Sequence, residues 1–200
     1  MNIYDFWQKR VSKSYYILKQ ILSQHLNVGD NDLVLDYGCG TGKYCLFFKP
    51  ENYLGVDVDE KNIRIAKNNF KNYHFLQIKP GHFSLDAKKF DFILVVGVFH
   101  HIADKELRLI LDDFSRILKP GGKVMVIEPI LSETSTRINK WMKFVDRGKS
   151  FRFEKGLMNL FNQHFEVKEV GQFITEMFYN EKIFELTSKS PKDNRGVVGE

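Results

Sequence analysis

The sequence predicts an α/β fold built on a doubly wound, mostly parallel sheet. Three observations carry that expectation. Five short apolar runs, Leu33–Asp36, Tyr53–Val58, His74–Ile78, Phe90–Val96 and Lys123–Glu128, recur along the chain. Most are near-continuous rather than alternating, as strands buried on both faces are. Helical patterns separate them, and alternating β and α units with right-handed crossovers wind helices onto both faces of a sheet. Finally, glycines at every second position, Gly38, Gly40 and Gly42, follow the first run, the composition of a tight turn between a strand and a helix.

Ahead of the first strand, Ser14 to Leu26 reads as a helix with Tyr15, Leu18, Leu22 and His25 in phase. After the second strand, Asp59 is placed to cap a helix through Asn69, with Ile63, Ala66 and Phe70 along one face. The stretch between Ile78 and Phe90 is too short for a crossover helix with its loops. Leu107, Ile110, Leu111, Phe114, Ile117 and Leu118 recur at helical spacing, and Pro120-Gly121-Gly122 ends that helix and turns the chain into the next strand. Beyond Glu128, Ser132–Arg147 is a helix candidate with Ile138, Trp141, Met142 and Val145 on one face. Glu154–Asn162 is a second helix, and Phe165–Thr175 and Lys182–Ser188 read as closing strands. With no repeat or linker, one domain is expected. Residues 1–30 form a helical cap, 31–130 the core, 131–164 a helical cover and 165–189 the closing strands, with a polar, flexible tail over 190–200.

Composition narrows the function classes. The chain has 200 residues, 43% of them hydrophobic and 14% aromatic, enough for a sizeable core. Its longest apolar run, Phe92 to Phe99, is far short of a membrane span. The start, Met1-Asn2-Ile3-Tyr4-Asp5, lacks a basic-then-apolar leader, so a cytoplasmic location is expected. Two cysteines, Cys39 and Cys45, suit a reducing compartment and no metal site. The formal charge of +5 is concentrated: residues 134–155 hold seven bases and two acids, and the rest of the chain is balanced. That segment suits an acidic substrate, an anionic membrane or simply a solvated helix face.

The glycine turn carries the chemistry. Its backbone N–H groups suit an anion, and Asp36, just before it, suits a cation. A ligand bearing an ammonium and a carboxylate satisfies both. A dinucleotide fits poorly, because the third glycine arrives one position early, at Gly42, and Lys43 stands where the last one belongs. Asp57, at the end of the second strand, is placed to accept two hydrogen bonds from ribose hydroxyls.

Four motifs in order, Val34-Leu-Asp-Tyr-Gly-Cys-Gly-Thr-Gly42, Tyr53-Leu-Gly-Val-Asp57, Phe90-Asp-Phe-Ile-Leu-Val-Val-Gly-Val-Phe-His-His-Ile102 and Leu118-Lys-Pro-Gly-Gly-Lys-Val-Met-Val-Ile-Glu-Pro129, resemble those of class I S-adenosylmethionine-dependent methyltransferases. The resemblance is strong over residues 30 to 130 and looser beyond. It implies a Rossmann-like, seven-stranded sheet whose last strand is antiparallel, with S-adenosyl-L-methionine as cofactor and S-adenosyl-L-homocysteine as product. Carried over by position, Asp36, Gly38, Cys39, Gly40 and Gly42 would hold the methionine portion. Asp57 would hold the ribose, Val58 would pack on adenine, and the backbone around Val96 and Gly97 would sit beside the methionine or sulfonium. One departure stands out. The acid that usually reads the adenine amino group is replaced by Lys79-Pro80, neither of which can accept that hydrogen bond. Adenine is then left to packing against Val58 and to backbone near Gly81-His82.

Methyl transfer needs alignment with the C–S bond and exclusion of water, plus a base only where the acceptor must lose a proton. His100 and His101, after the fourth strand, are the candidate bases. No Asn/Asp-Pro-Pro-aromatic tetrapeptide and no Pro-Cys follow that strand, and no appended nucleic-acid-binding domain is expected. A small-molecule acceptor is therefore expected and a nucleic acid is not. Its pocket is expected over the carboxyl ends of the strands, walled by Trp7 and Tyr15, by Glu128, and by Arg147 or Arg152, which would take an anionic handle. Membrane contact through residues 134–155 is the rival for the basic segment, and a cofactor-binding accessory protein without turnover is the rival for the whole chain.

Overall fold

The computed structural model describes residues 16, 19–21, 28–79, 85–134, 137, 139, 140, 150–174 and 180–189. Most of the helix expected over Ser14–Leu26, most of that over Ser132–Arg147, and the tail from Ser190 lie outside these residues, as do Trp7, Tyr15 and Arg147.

In chain order the elements are β1 (Val34–Tyr37), β2 (Tyr53–Asp57), α1 (Glu60–Asn69), β3 (His74–Gln77), β4 (Phe90–Val96), α2 (Asp104–Ile117), β5 (Leu118–Ile130), α3 (Glu154–Phe161), β6 (Phe165–Ile174) and β7 (Asn180–Ser188). They form one seven-stranded sheet in the order β3-β2-β1-β4-β5-β7-β6. Strands β1 to β5 pair in parallel, and β7 lies antiparallel between β5 and β6. The strand order reverses direction between β1 and β4, the point at which open α/β sheets leave a crevice at their carboxyl ends.

The near-continuous apolar runs are explained by burial on both faces. Along β5, Val124 and Val126 join one core cluster with Phe114 and Phe161, while Met125 and Ile127 join the other with Ile63 and Phe75. Helix α2 buries Leu107, Ile110, Leu111, Phe114 and Ile117 against the first face, as its spacing predicts. Phe114 is fully buried and meets Tyr37 edge-on, with ring centroids 5.2 Å apart. Helix α1 begins where expected, with the Asp59 carboxylate accepting the Lys61 N–H at 2.8 Å.

Strand β5 differs from the sequence expectation at both ends, and β7 begins at Asn180, two residues before the expected Lys182. Strand β5 starts at Leu118, which pairs with Phe90 before Pro120-Gly121-Gly122 loops out and pairing resumes at Phe92 and Lys123. The Pro-Gly-Gly turn is thus an irregularity inside a strand, with Gly121 at φ +78°. At its other end β5 runs on to Ile130, because β7 supplies partners as far as Asn180.

Candidate active site

The glycine turn folds over the end of β2. The carbonyl of Val56 accepts N–H bonds from Gly38 and Cys39 at 2.8 and 2.9 Å, and that of Cys39 accepts from Gly42 at 2.9 Å. Asp57 receives the Gly40 N–H on one carboxylate oxygen and the Asp59 N–H on the other, both at 2.8 Å. Four amides expected to form an anion nest are therefore committed within the protein. The turn needs its glycines for two different reasons. Gly38, at φ +77°, lies so close to Val98 that a Cβ would stand 2.4 Å from a Val98 methyl. Gly40, at φ +53°, faces open space.

That space is a cleft of about 450 Å³ whose walls include Gly38, Gly40, Asp57, Val58, Gly97 and His101. These six sequence-selected residues are brought together. Tyr37, Val98 and Ile102 lie within the quoted motifs without having been singled out, and the remaining wall residues had no motif to announce them. Asn62 lies in the first turns of α1, Glu106 and Ile110 lie one helical turn apart on α2, and Ile78 and Ile102 follow β3 and β4. An i, i+4 pair facing the carboxyl ends of the sheet was the available signal for Glu106 and Ile110.

Asp36, Cys39 and Gly42 sit behind the wall. Asp36 is buried and accepts the Tyr53 hydroxyl at 2.7 Å. Burial pushes its carboxyl up to about 7, against the lowering pull of that hydrogen bond. A Cβ on Gly42 would meet the Phe75 ring at 2.8 Å, so this glycine makes room for packing. Cys39 and Cys45 are free and buried, and desolvation pushes both thiols up, away from thiolate chemistry.

The turn after β4, Gly97 to Ile102, crosses the cleft and is held from both sides. Glu128, from β5, is buried. One of its oxygens accepts the N–H groups of Val98 and Phe99, both at 2.6 Å. The other lies 2.8 Å from His100 Nδ1 and accepts the His100 N–H at 3.3 Å. Arg152 holds the carbonyl side, donating to Phe99 O at 2.7 Å and Ile102 O at 2.6 Å. Its remaining donors reach Ser150 O and the Asp104 carboxylate. The five N–H donors of the guanidinium are all taken.

This geometry corrects three expectations. Glu128 and Arg152 were expected to meet the acceptor, but their polar groups are spent on the turn. His100 is buried, pinned to Glu128 and stacked on Phe151 with centroids 5.0 Å apart. Of the two candidate bases only His101 lines the cleft; it touches His100, ring to ring, at 4.0 Å. Among the described residues no cluster of His, Cys, Asp and Glu could hold a metal, and no helix is long and apolar enough to cross a membrane.

The residues present fit S-adenosylmethionine. Val58, Ile78, Ile102 and Ile110 offer an apolar slot, the Asp57 carboxylate borders it, and the missing side chain of Gly40 leaves room for close approach. Residues 34–122 match the family model described as a methyltransferase domain. With the strand order, this makes residues 34–122 similar to the class I S-adenosylmethionine-dependent methyltransferase superfamily. An uncharacterized protein of Methanocaldococcus jannaschii is 26% identical over 91% of this chain and 50% of its own length. Mouse "Probable tRNA methyltransferase 9B" is 29% identical over 70% of this chain and 30% of its own. The chain thus spans half or less of these relatives. A solved structure from the complex between the Haloferax volcanii Trm112 methyltransferase activator and a methyltransferase overlays with a TM-score of 0.73. It is 16% identical and covers 94% of this chain and 99% of that one. At that identity the likeness is one of fold.

Proposed function

We propose that the chain transfers the methyl group of S-adenosylmethionine to a small-molecule acceptor at the mouth of the cleft. The observation that carries this reading is the cleft itself: an apolar slot, a strand-end carboxylate and an uncovered glycine meet at the reversal point of the sheet. When bound, the cofactor supplies an electrophilic sulfonium methyl. Asp57 would accept hydrogen bonds from the ribose diol with the lone pairs that Gly40 and Asp59 leave over. Val58, Ile78, Ile102 and Ile110 would flank the adenine ring, which suits a site where Lys79-Pro80 replaces the usual acid. The backbone of Gly38, Gly40 and Gly97 would border the methionine portion, and Asp36 would set the field behind it. His101 would take the acceptor's proton where the acceptor is an alcohol or an amine. We place the protein in the cytoplasm, in keeping with its two free thiols.

Titration calorimetry with S-adenosylhomocysteine and with NAD tests the donor site, with binding of the first and not the second expected. Turnover is then read as S-adenosylhomocysteine release on panels of alcohols, amines and carboxylic acids. Binding without release on any panel would favour an accessory role. A second reading has its own support: the tRNA methyltransferase name of a relative and the concentrated positive charge of residues 134–155 favour a tRNA acceptor. Methyl incorporation into bulk tRNA, absent from the small-molecule panels, would decide for it.

A further inference from the structure

Arg152 joins two parts of the molecule that have no ladder between them. Its guanidinium donates to Phe99 O and Ile102 O in the turn after β4 and binds Asp104 at the start of α2. Its own backbone belongs to the segment 150–153 that enters α3. That segment is tied back twice more: the Ser150 N–H donates to His100 O at 2.8 Å, and the Leu131 N–H donates to Arg152 O at 2.9 Å. Phe151 adds the stack on His100. The Arg152 side chain is only 10% exposed. Gly97, Val98, His101 and Ile102 line the cleft, whereas Ser150, Phe151 and Leu131 do not.

We propose that Arg152 is a positioning residue that makes the cleft turn and the segment 150–153 one mechanical unit, so that filling the cleft stiffens chain that never touches the cofactor. Three properties of the contact require a guanidinium. The acceptors are two carbonyls and a carboxylate spread across the turn, and a planar fork of five donors reaches them together. A lysine presents one point of charge and cannot. The guanidinium is largely withdrawn from water, although Asp104 is exposed, so its bonds to the two carbonyls are not easily replaced by solvent. Finally, Glu128 fixes the N–H side of the same turn, and Arg152 is the side chain that holds its carbonyl side, beside the Ser150 N–H on His100 O. By reciprocity, whatever orders segment 150–153 tightens cofactor binding by the same factor. The inference rests on the cleft being the S-adenosylmethionine site.

Amide hydrogen exchange on the full chain, with and without S-adenosylhomocysteine, tests it. In wild type the ligand is expected to slow exchange several-fold at Gly40, which lines the cleft, and also at Ser150 and Leu131, which do not. Arg152→Lys and Arg152→Met are expected to keep the slowing at Gly40 and lose it at Ser150 and Leu131, with a dissociation constant raised about tenfold. Equal transmission in Arg152→Lys would overturn the proposal. Should both variants fail to fold, Asp104→Ala removes only the outer partner and is expected to weaken the transmitted slowing; an unchanged pattern there counts against the idea. If wild type ignores the ligand, the donor assignment falls. The ligand-free arm then judges the clamp alone: faster exchange at Val98 and Phe99 in Arg152→Met, with β1 amides unchanged, supports it, and no acceleration sinks it.

Discussion

Replacing Gly38 and Gly40 separately by alanine divides the two demands on the turn. Both sit in the left-handed region, at φ +77° and +53°, and an L-residue there costs about 1–2 kcal/mol. Beyond that shared cost the sites part. At Gly38 the new methyl would stand 2.4 and 3.1 Å from the two Val98 methyls, an overpacking that adds about 1–3 kcal/mol. At Gly40 nothing lies within 4 Å, so no such addition is expected. Gly38→Ala should therefore lose about 2–5 kcal/mol and Gly40→Ala about 1–2. For a domain of this size the gap corresponds to a Tm lower by about 3–10 °C in the first variant. Binding should rank the other way, because the Gly40 methyl projects into the cleft while leaving the fold intact. Differential scanning calorimetry gives the first ranking and titration with S-adenosylhomocysteine the second. Adding Val98→Ala to Gly38→Ala should return part of the loss, a coupling that a double-mutant cycle reads directly. Equal melting temperatures, or wild-type affinity in Gly40→Ala, would refute the reasoning.

Further outcomes follow from the same contacts. Asp36→Asn should change the pH dependence of stability. The folded carboxyl titrates near 7 against an ordinary value of 3.8, so the wild type is favoured at low pH and loses up to about 1.4 kcal/mol per pH unit on rising through that window. The variant's advantage in Tm should grow from pH 4 to 7 and then level, and a flat difference would count against the buried acid. Glu128→Gln puts an amide donor where the carboxylate now accepts N–H bonds from three residues; unfolding in urea should show a loss of about 1–3 kcal/mol. His101→Gln should lower turnover about 10²–10⁴-fold on an alcohol or amine acceptor while leaving S-adenosylhomocysteine affinity and Tm near wild type. His100→Gln should do the reverse, because that ring is buried against Glu128 and Phe151.

Much of the architecture was legible because each parallel strand is buried on both sides, which writes an apolar run, and because turns and caps are local. Asp59 and the glycines announced themselves for that reason. The long-range partners did not. Nothing near Glu128 in sequence says that its donors lie on residues 98–100, and nothing near Arg152 says that it reaches 99, 102 and 104. Charge in a basic window reads as surface, whereas this guanidinium is held by carbonyls some fifty positions away in the chain. Asp36 was singled out by type and place, but its hydrogen bond to Tyr53 and its distance behind the wall depend on the register of β1 with β2. The start of β5 was misjudged because Pro-Gly-Gly is a terminator by composition and an excursion by pairing.

The placement of β7 has a consequence for biosynthesis. It is wedged between β5 and β6, pairing with the first from Lys123 to Ile130 and with the second from Phe165 to Ile174. Until residues 180–188 have left the ribosome, β6 has no strand to pair with, and eight consecutive positions of β5 present an open, mostly apolar border. A nascent chain stalled before Asn180 should therefore be sticky, captured by holdase chaperones and readily cleaved, and one stalled well after Ser188 should be neither.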